Sequence, residues 1–137
     1  MNKFAELGLS TDLCEGLDKR HHTKPTPIQC AAIPNLLLGR DFLGIAQTGT
    51  GKTGAFILPI LHLLANSRDQ VKKNKPRALV LAPTRELAIQ IGNEITAYKS
   101  RLKIRHVVIF GGVSQSNQVN ALRRGVDIIV ATPGRLL

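Results

Sequence analysis

The chain reads as an α/β protein, a parallel sheet flanked by helices, and three observations carry that reading. Short apolar runs of strand length alternate with longer segments of helical period. The runs are Phe42-Leu43-Gly44-Ile45-Ala46, Ala78-Leu79-Val80-Leu81-Ala82, His106 to Phe110, and Ile128-Ile129-Val130-Ala131. They are close to continuously apolar rather than alternating, the pattern of strands covered on both faces. Between the first run and the helix after it lies a glycine-rich loop, Ala46-Gln47-Thr48-Gly49-Thr50-Gly51-Lys52-Thr53. A strand, a turn of that composition and a helix form one unit of a parallel α/β fold.

The elements follow in order. Ser10 caps a short helix bearing Leu13 and Leu17, with Asp12 and Glu15 in its first turns. A polar connector from Asp18 to Lys24 leads to Thr26-Pro27, an N-cap followed by an N1 proline. The helix they open runs to Gly39, with a kink expected at Pro34. After the glycine-rich loop a packed helix extends from Thr53 to about Leu64, then fades into a basic surface loop from Ser67 to Lys75. The second strand runs into Pro83-Thr84, where Thr84 caps a helix with Leu87, Ile91, Ile95 and Tyr98 on one face. The third strand closes at Gly111-Gly112. A helix from about Ser116 to Arg124 stops at Gly125, and after the fourth strand Thr132-Pro133 reads as another cap and N1. The chain stops at Leu137, one turn into that last helix, and is read as truncated.

Composition narrows the class. A length of 137 residues allows one domain with a real core, and 43% apolar against 20% charged residues excludes a disordered chain. Charges or prolines interrupt every hydrophobic stretch before it reaches membrane length, and Glu6 and Asp12 break up any secretory leader. Cys14 and Cys30 lack metal-type spacing and read as reduced, partly buried thiols of a cytoplasmic protein. His21-His22 has no further ligands beside it. Nineteen Lys and Arg against nine Asp and Glu leave a net charge of +10. That field attracts polyanions, with nucleic acid the default partner. The alternative is a piece whose acidic remainder lies elsewhere.

The glycine-rich loop carries the chemistry. Gly49 and Gly51 let backbone N–H groups turn inward toward phosphate oxygens, and the following helix adds the partial positive charge of its N-terminus. Lys52 is placed to reach the β- and γ-phosphates of a nucleoside triphosphate. The Thr53 hydroxyl suits Mg²⁺, directly or through water. These two are the candidate catalytic residues. Hydrolysis also asks for an acid at the C-terminal end of a buried strand. Here those ends carry Pro-Thr, Gly-Gly and Thr-Pro, Asp127 precedes its strand, and Glu86 sits in a helix's first turn. The 137 residues are therefore expected to bind nucleotide without turning it over.

Taken together, the motifs resemble the first RecA-like domain of DEAD-box RNA helicases. Lys24-Pro25-Thr26-Pro27-Ile28-Gln29, with Phe4 upstream, is similar to that family's Q motif. The loop matches the family's variant of the phosphate-binding loop, including Ala46 where the general pattern has glycine. Pro83-Thr84-Arg85-Glu86-Leu87, Gly111-Gly112 and Thr132-Pro133-Gly134-Arg135 follow in the family's order. His21-His22 departs from the glycine–aromatic pair common before the Q motif. The Asp-Glu-Ala-Asp strand, the Ser-Ala-Thr motif and the second RecA-like domain are absent from these residues.

The resemblance implies a partial RecA-like domain, with a Q-motif region over residues 1–30 and a phosphate-loop core over 40–137. It implies ATP and Mg²⁺ as cofactors. Gln29 would bond the adenine edge and Phe4 would stack on the ring, with Lys24, Pro27 and the loop residues Ala46, Gln47, Thr48, Gly49, Thr50, Gly51, Lys52 and Thr53 completing the nucleotide site. It implies RNA as partner: Arg85 and Arg135 would pair with phosphates, alongside Pro83, Thr84, Gly111, Gly112, Thr132, Pro133 and Gly134, without reading bases. The strands at Leu79, His106 and Ile128 would lie side by side. The strand at Phe42 would take its neighbours from beyond residue 137, leaving open edges for self-association. Two other readings stand beside this one. Another phosphate-loop NTPase, such as a DNA translocase or nucleotide kinase, would not need the Q motif. A basic nucleic-acid-binding module without catalysis would leave the phosphate loop unexplained.

Overall fold

The computed structural model describes residues 2–47, 49, 51–67, 75–111 and 115–136. They form two compact units, Met1–Asn66 with Ala97–Leu102, and Ser67–Thr96 with Lys103–Leu137.

The first unit is helical. A 3-10 helix over Lys3–Leu7, not foreseen in the sequence, precedes α1 (Thr11–Lys19), α2 (Pro27–Leu37) and α3 (Lys52–Asn66). Its core is built from Leu13 and Leu17 of α1, as expected, together with Ile33 of α2 and Ile57, Leu58 and Leu61 of α3, all essentially buried. Helices α2 and α3 pack on one another, and the 3-10 helix packs on α1 and α2. Asn2 ties the entry together. Its carbonyl accepts the Phe4 N–H at 2.8 Å, and its amide donates to Asp18 Oδ1 at 2.6 Å and to the His22 carbonyl at 3.1 Å. Tyr98 closes the unit, with the Arg20 guanidinium 5.1 Å from its ring centre and the His22 ring edge-on at 6.3 Å.

Four expectations are corrected here. Residues 42–46 do not form a strand: Leu43 is 87% and Ile45 88% exposed, and no described strand pairs with them. An apolar run becomes a strand only when its N–H and C=O groups find a ladder, and this one has none among the described residues. Ser10 occupies the N-cap of α1, yet its hydroxyl makes no bond. Its N–H donates instead to His62 Nδ1 on α3, at 3.1 Å. Cys14 is buried as expected, whereas Cys30 is exposed. The second strand is only half covered, as described below.

The Ser10–His62 bond carries a pH dependence. Burial pushes the His62 pKa down from its ordinary 6.5, and Nδ1 must be unprotonated to accept. A depressed folded pKa means the stabilisation is complete above about pH 6.5 and is lost as pH falls through the lowered value. Urea midpoints should therefore drop on that acid limb. A His62→Asn variant, which keeps an acceptor but does not titrate, should show a flatter limb. An identical limb in both chains would remove His62 as its cause.

The second unit is the parallel sheet. Strands β1 (Ala78–Leu81), β2 (His106–Ile109) and β3 (Ile128–Ala131) lie in the order β1-β3-β2. Ala78 is opposite Ile128 in one ladder and His106 opposite Ile128 in the other, all parallel. The side-by-side arrangement expected of these three strands is what is found. β3 lies at the centre, with all four residues buried. On β1, Leu79 and Leu81 are 52% and 54% exposed while Val80 is buried, so this strand alternates instead of being covered on both faces. Helix α4 (Arg85–Lys99) connects β1 to β2, α5 (Gln115–Arg124) connects β2 to β3, and α6 (Pro133–Leu136) follows β3. Gly92 lets α4 approach β2, since a Cβ there would lie 2.4 Å from Val108 Cγ2.

A polar node joins the strands at their N-terminal edge. Asp127 is completely buried; Arg77 Nε donates to its Oδ1 at 2.8 Å and the Arg105 N–H to its Oδ2 at 3.0 Å. Asp127 thus sits at the edge away from the motifs, as its position before β3 implied, and holds the starts of all three strands. No described helix is long and apolar enough to cross a membrane.

Candidate functional site

The first unit carries the Q-motif and phosphate-loop residues. Thr26 precedes Pro27 at the start of α2, and Gln29, two residues further in, is 6% exposed. Its Oε1 accepts the Thr26 N–H at 3.0 Å, the reciprocal half of a capping box. Its Nε2 donates to the Gly51 carbonyl at 3.1 Å. One amide therefore links the start of α2 to the loop that precedes α3. The Thr26 hydroxyl is buried without a partner, so the cap is made by Gln29 and not by Thr26.

Gly51 is where this packing requires glycine. Its φ is +82°, and a Cβ would lie 2.6 Å from Gln29 Nε2 and 2.9 Å from Thr26 Oγ1. Gly54, in the first turn of α3, is constrained similarly, since a Cβ there would lie 2.9 Å from the same amide. Gly49 also has positive φ, +86°, but faces open space. α3 begins at Lys52, so the first-turn N–H groups of a 15-residue helix open directly onto the loop. Lys52 is exposed, with no ion-pair partner among the described residues, and Thr53 is half-buried. Ala46 is half-buried, and Gln47, Lys24 and Pro27 are exposed. Thr48 and Thr50 lie outside the described residues.

Phe4 is placed differently from the expectation. It is 2% exposed, in the core of this unit, with its N–H held by Asn2. A ring so covered has no face for a base, and stacking on adenine is not available to it in this arrangement. Gln29 likewise has an acceptor and a donor already engaged within the chain.

The second unit gathers the other motifs at the C-terminal ends of its parallel strands, where open α/β sheets bind ligands. β1 is followed by Pro83, Thr84 and Arg85, β2 by Phe110 and Gly111, and β3 by Thr132, Pro133, Gly134 and Arg135. Backbone bonds hold this edge, from Ala82 N–H to the Ala131 carbonyl and from Thr132 N–H to the Ile109 carbonyl, each 3.0 Å. Thr84 caps α4 through Oγ1, accepting the Leu87 N–H at 3.2 Å. Arg85 lies 5.9 Å from the Phe110 ring centre and 3.9 Å from Glu86, with its side chain half exposed. Pro83, Thr84, Gly111, Pro133 and Gly134 are exposed, whereas Thr132 and Arg135 are half-buried. Gly112 lies outside the described residues.

One residue at this edge was missed in the sequence. Gln118 of α5 is 8% exposed, and its Nε2 donates to the Phe110 carbonyl at 3.1 Å, fixing the turn that leads into Gly111. Its Oε1 is buried without a partner. The available signal was a polar residue on the inward face of an otherwise polar helix, which periodicity alone does not single out.

Comparison with known proteins agrees with the motifs. The DEAD/DEAH box helicase family model matches residues 26–137. The chain is 48% identical over 135 residues to the ATP-dependent RNA helicase DeaD of Escherichia coli strain K12, covering 98% of this chain and 21% of that protein. It is 42% identical over 137 residues to the probable ATP-dependent RNA helicase DDX46 of Homo sapiens, all of this chain and 13% of that protein. It therefore spans a small fraction of the relatives it matches. Among solved structures, the RNA helicase Prp28 from Chaetomium thermophilum bound to ADP is similar at TM-score 0.86 and 48% identity, over 96% of this chain and 32% of that one. A DEAD box protein from Methanococcus jannaschii is similar at TM-score 0.85 and 37% identity, over 98% and 35%. With the sheet order, the loop before α3 and the motif edge of the sheet all in agreement, this chain belongs to the DEAD/DEAH box helicase family.

Proposed function

We propose that this chain is the ATP- and RNA-binding portion of an ATP-dependent RNA helicase, a cytoplasmic protein that couples ATP hydrolysis to RNA duplex remodelling. The observation that carries the reading is the Gln29 amide docked on the Gly51 carbonyl. It connects the residue expected to read the base with the loop expected to hold the phosphates. The names of the relatives and the ADP in the Chaetomium structure support the same ligand class.

The residues present fit a nucleotide with Mg²⁺. Positive φ at Gly49 and Gly51 turns the loop, a long helix starts at its end, and Lys52 has no competing carboxylate among the described residues. Lys52 would hold the β- and γ-phosphates and Thr53 the metal. Bound Mg²⁺ supplies charge neutralisation and orientation of the phosphates. Gln29 would orient adenine with the amide hydrogen and lone pair that the chain leaves unused. No acid follows β1, β2 or β3 directly among the described residues, which supports binding without turnover in these 137 residues. At the motif edge, Arg85 and Arg135 would take phosphates of the RNA backbone. The backbone N–H groups of Gly111 and Gly134, both exposed residues, would add contacts that ignore base identity.

Binding assays on the 137-residue chain test this. ATP should be preferred over GTP, with affinity lost in Lys52→Ala and Gln29→Ala. Multiple-turnover hydrolysis should stay at background with RNA present. RNA affinity should fall steeply with salt, and Arg85→Ala or Arg135→Ala should each flatten the slope of log K against log salt by about one phosphate contact. Equal binding of GTP and ATP would refute the nucleotide assignment, and a changed base preference in either arginine variant would refute the RNA one.

A further inference from the structure

The net charge of +10 is larger than Lys24, Lys52, Arg85 and Arg135 account for. In the sheet unit much of the rest collects at the opposite edge from the motifs. Lys75 and Arg77 precede β1, Lys103 and Arg105 precede β2, and Arg123 and Arg124 end α5 just before β3. Backbone bonds set these three segments side by side. The N–H groups of Arg77 and Ala78 donate to the Asp127 carbonyl at 2.8 and 2.9 Å, and those of Asp127 and Ile128 to the Arg105 carbonyl at 2.8 and 3.1 Å. At about 4.8 Å per strand, the three segments span about 10 Å.

Among the described residues, the carboxylate at this edge is Asp127, fully buried and neutralised by Arg77. Lys75, Lys103, Arg105, Arg123 and Arg124 are all exposed, and none has an ion-pair partner among the described residues. Arg123 and Arg124 complement the C-terminal dipole of α5, and the Arg105 guanidinium reaches the Arg124 carbonyl at 3.4 Å. Those contacts orient the side chains but neutralise none of the charge. The segments also lack an apolar anchor of the kind protein interfaces use, since Ile104 and Val126 are buried.

We propose that this N-terminal edge of the sheet is a second phosphate-binding surface, which takes RNA backbone independently of the motif edge. Three of its five exposed cations are arginines, whose forked donors match phosphate oxygens. The proposal rests on the reading that the chain binds RNA, but it uses none of the motif residues. A strand held at both edges gains a longer footprint and a steeper salt dependence, with no gain in base selectivity.

The test uses fluorescence anisotropy of a labelled, unstructured 20-nucleotide RNA titrated with the 137-residue chain, with Lys103→Glu/Arg123→Glu compared with Arg85→Ala/Arg135→Ala. The edge variant should bind about tenfold more weakly and lower the slope of log K against log salt by about 1.4, two phosphate contacts on a single strand. It should not change the ratio of ATP to GTP binding. If the reversed chain melts early, Lys103→Gln/Arg123→Gln, which adds no new charge, is read for the same loss. Unchanged affinity and slope in the edge variant, with loss in the motif variant, overturns this proposal and leaves the proposed function intact. Loss in the edge variant alone overturns the motif-edge assignment instead. Equal competition by oligoglutamate of the same charge would overturn the assignment to RNA in favour of an acidic polypeptide.

Discussion

Replacing Arg77 with methionine is expected to cost the protein about 3–5 kcal/mol, the range for breaking one half of a buried ion pair. Asp127 has no solvent exposure, and among the described residues Arg77 supplies its only side-chain donor, through Nε and Nη2 on one oxygen. Methionine keeps most of the apolar stem, so the loss isolates the charge. What remains for the carboxylate is the Arg105 N–H at 3.0 Å, too little for a buried anion. Total stabilities of small domains are about 5–15 kcal/mol, so the variant should lose a large share of its stability and unfold at a much lower urea concentration. Removing both charges, as Arg77→Met/Asp127→Leu, should cost less than the single change, because no uncompensated ion is left. Urea unfolding of the three chains decides it. A single-variant loss below about 1 kcal/mol, the worth of an exposed surface pair, would show that water reaches the site.

That node also shows where sequence reading stops. The position of Asp127 before β3 was enough to exclude it as a metal-binding acid, because strand polarity in a parallel sheet follows from chain order. Its partner Arg77, fifty residues earlier, carries no local signal; only the strand order β1-β3-β2 brings them together. Helix ends were legible because Pro27, Gly39 and Gly125 act through their own backbone geometry. The cap chemistry was less so: Ser10 and Thr26 stand at the predicted positions, but their hydroxyls are idle and Gln29 and His62 take the N–H groups. Residues 42–46 failed for the reason that β3 succeeded. Both are short apolar runs, but β3 has a ladder on each side and the other has none among the described residues. The motif residues were found by their spacing, yet the burial of Phe4 depends on Asn2 and the 3-10 helix, which spacing does not encode.

Gly51→Ala is expected to be the most damaging single methyl in the nucleotide site. Two separate costs meet there. The backbone sits at φ +82°, a left-handed conformation that disfavours any Cβ by about 1–2 kcal/mol. The new methyl would also fall 2.6 Å from Gln29 Nε2, so the amide must move. In an exposed side chain that movement would be cheap, but Gln29 is 6% exposed and held at both ends, by the Thr26 N–H and the Gly51 carbonyl. Displacing it leaves buried polar groups unpaired, at about 1–3 kcal/mol. Gly49→Ala carries the backbone cost alone, because its Cβ would enter open space. The second cost should disappear once Gln29 is shortened. In a cycle of Gly51→Ala and Gln29→Ala, read by thermal unfolding, the double variant should be more stable than the two single losses added together. The same cycle with Gly49→Ala should be additive. Nucleotide affinity should follow the stability order if the docked amide connects the residue proposed to orient adenine with the loop proposed to hold the phosphates. Strict additivity of the Gly51 and Gln29 losses would mean that the amide does not hold the loop, and the coupling between the Q motif and the phosphate site would have to be sought elsewhere.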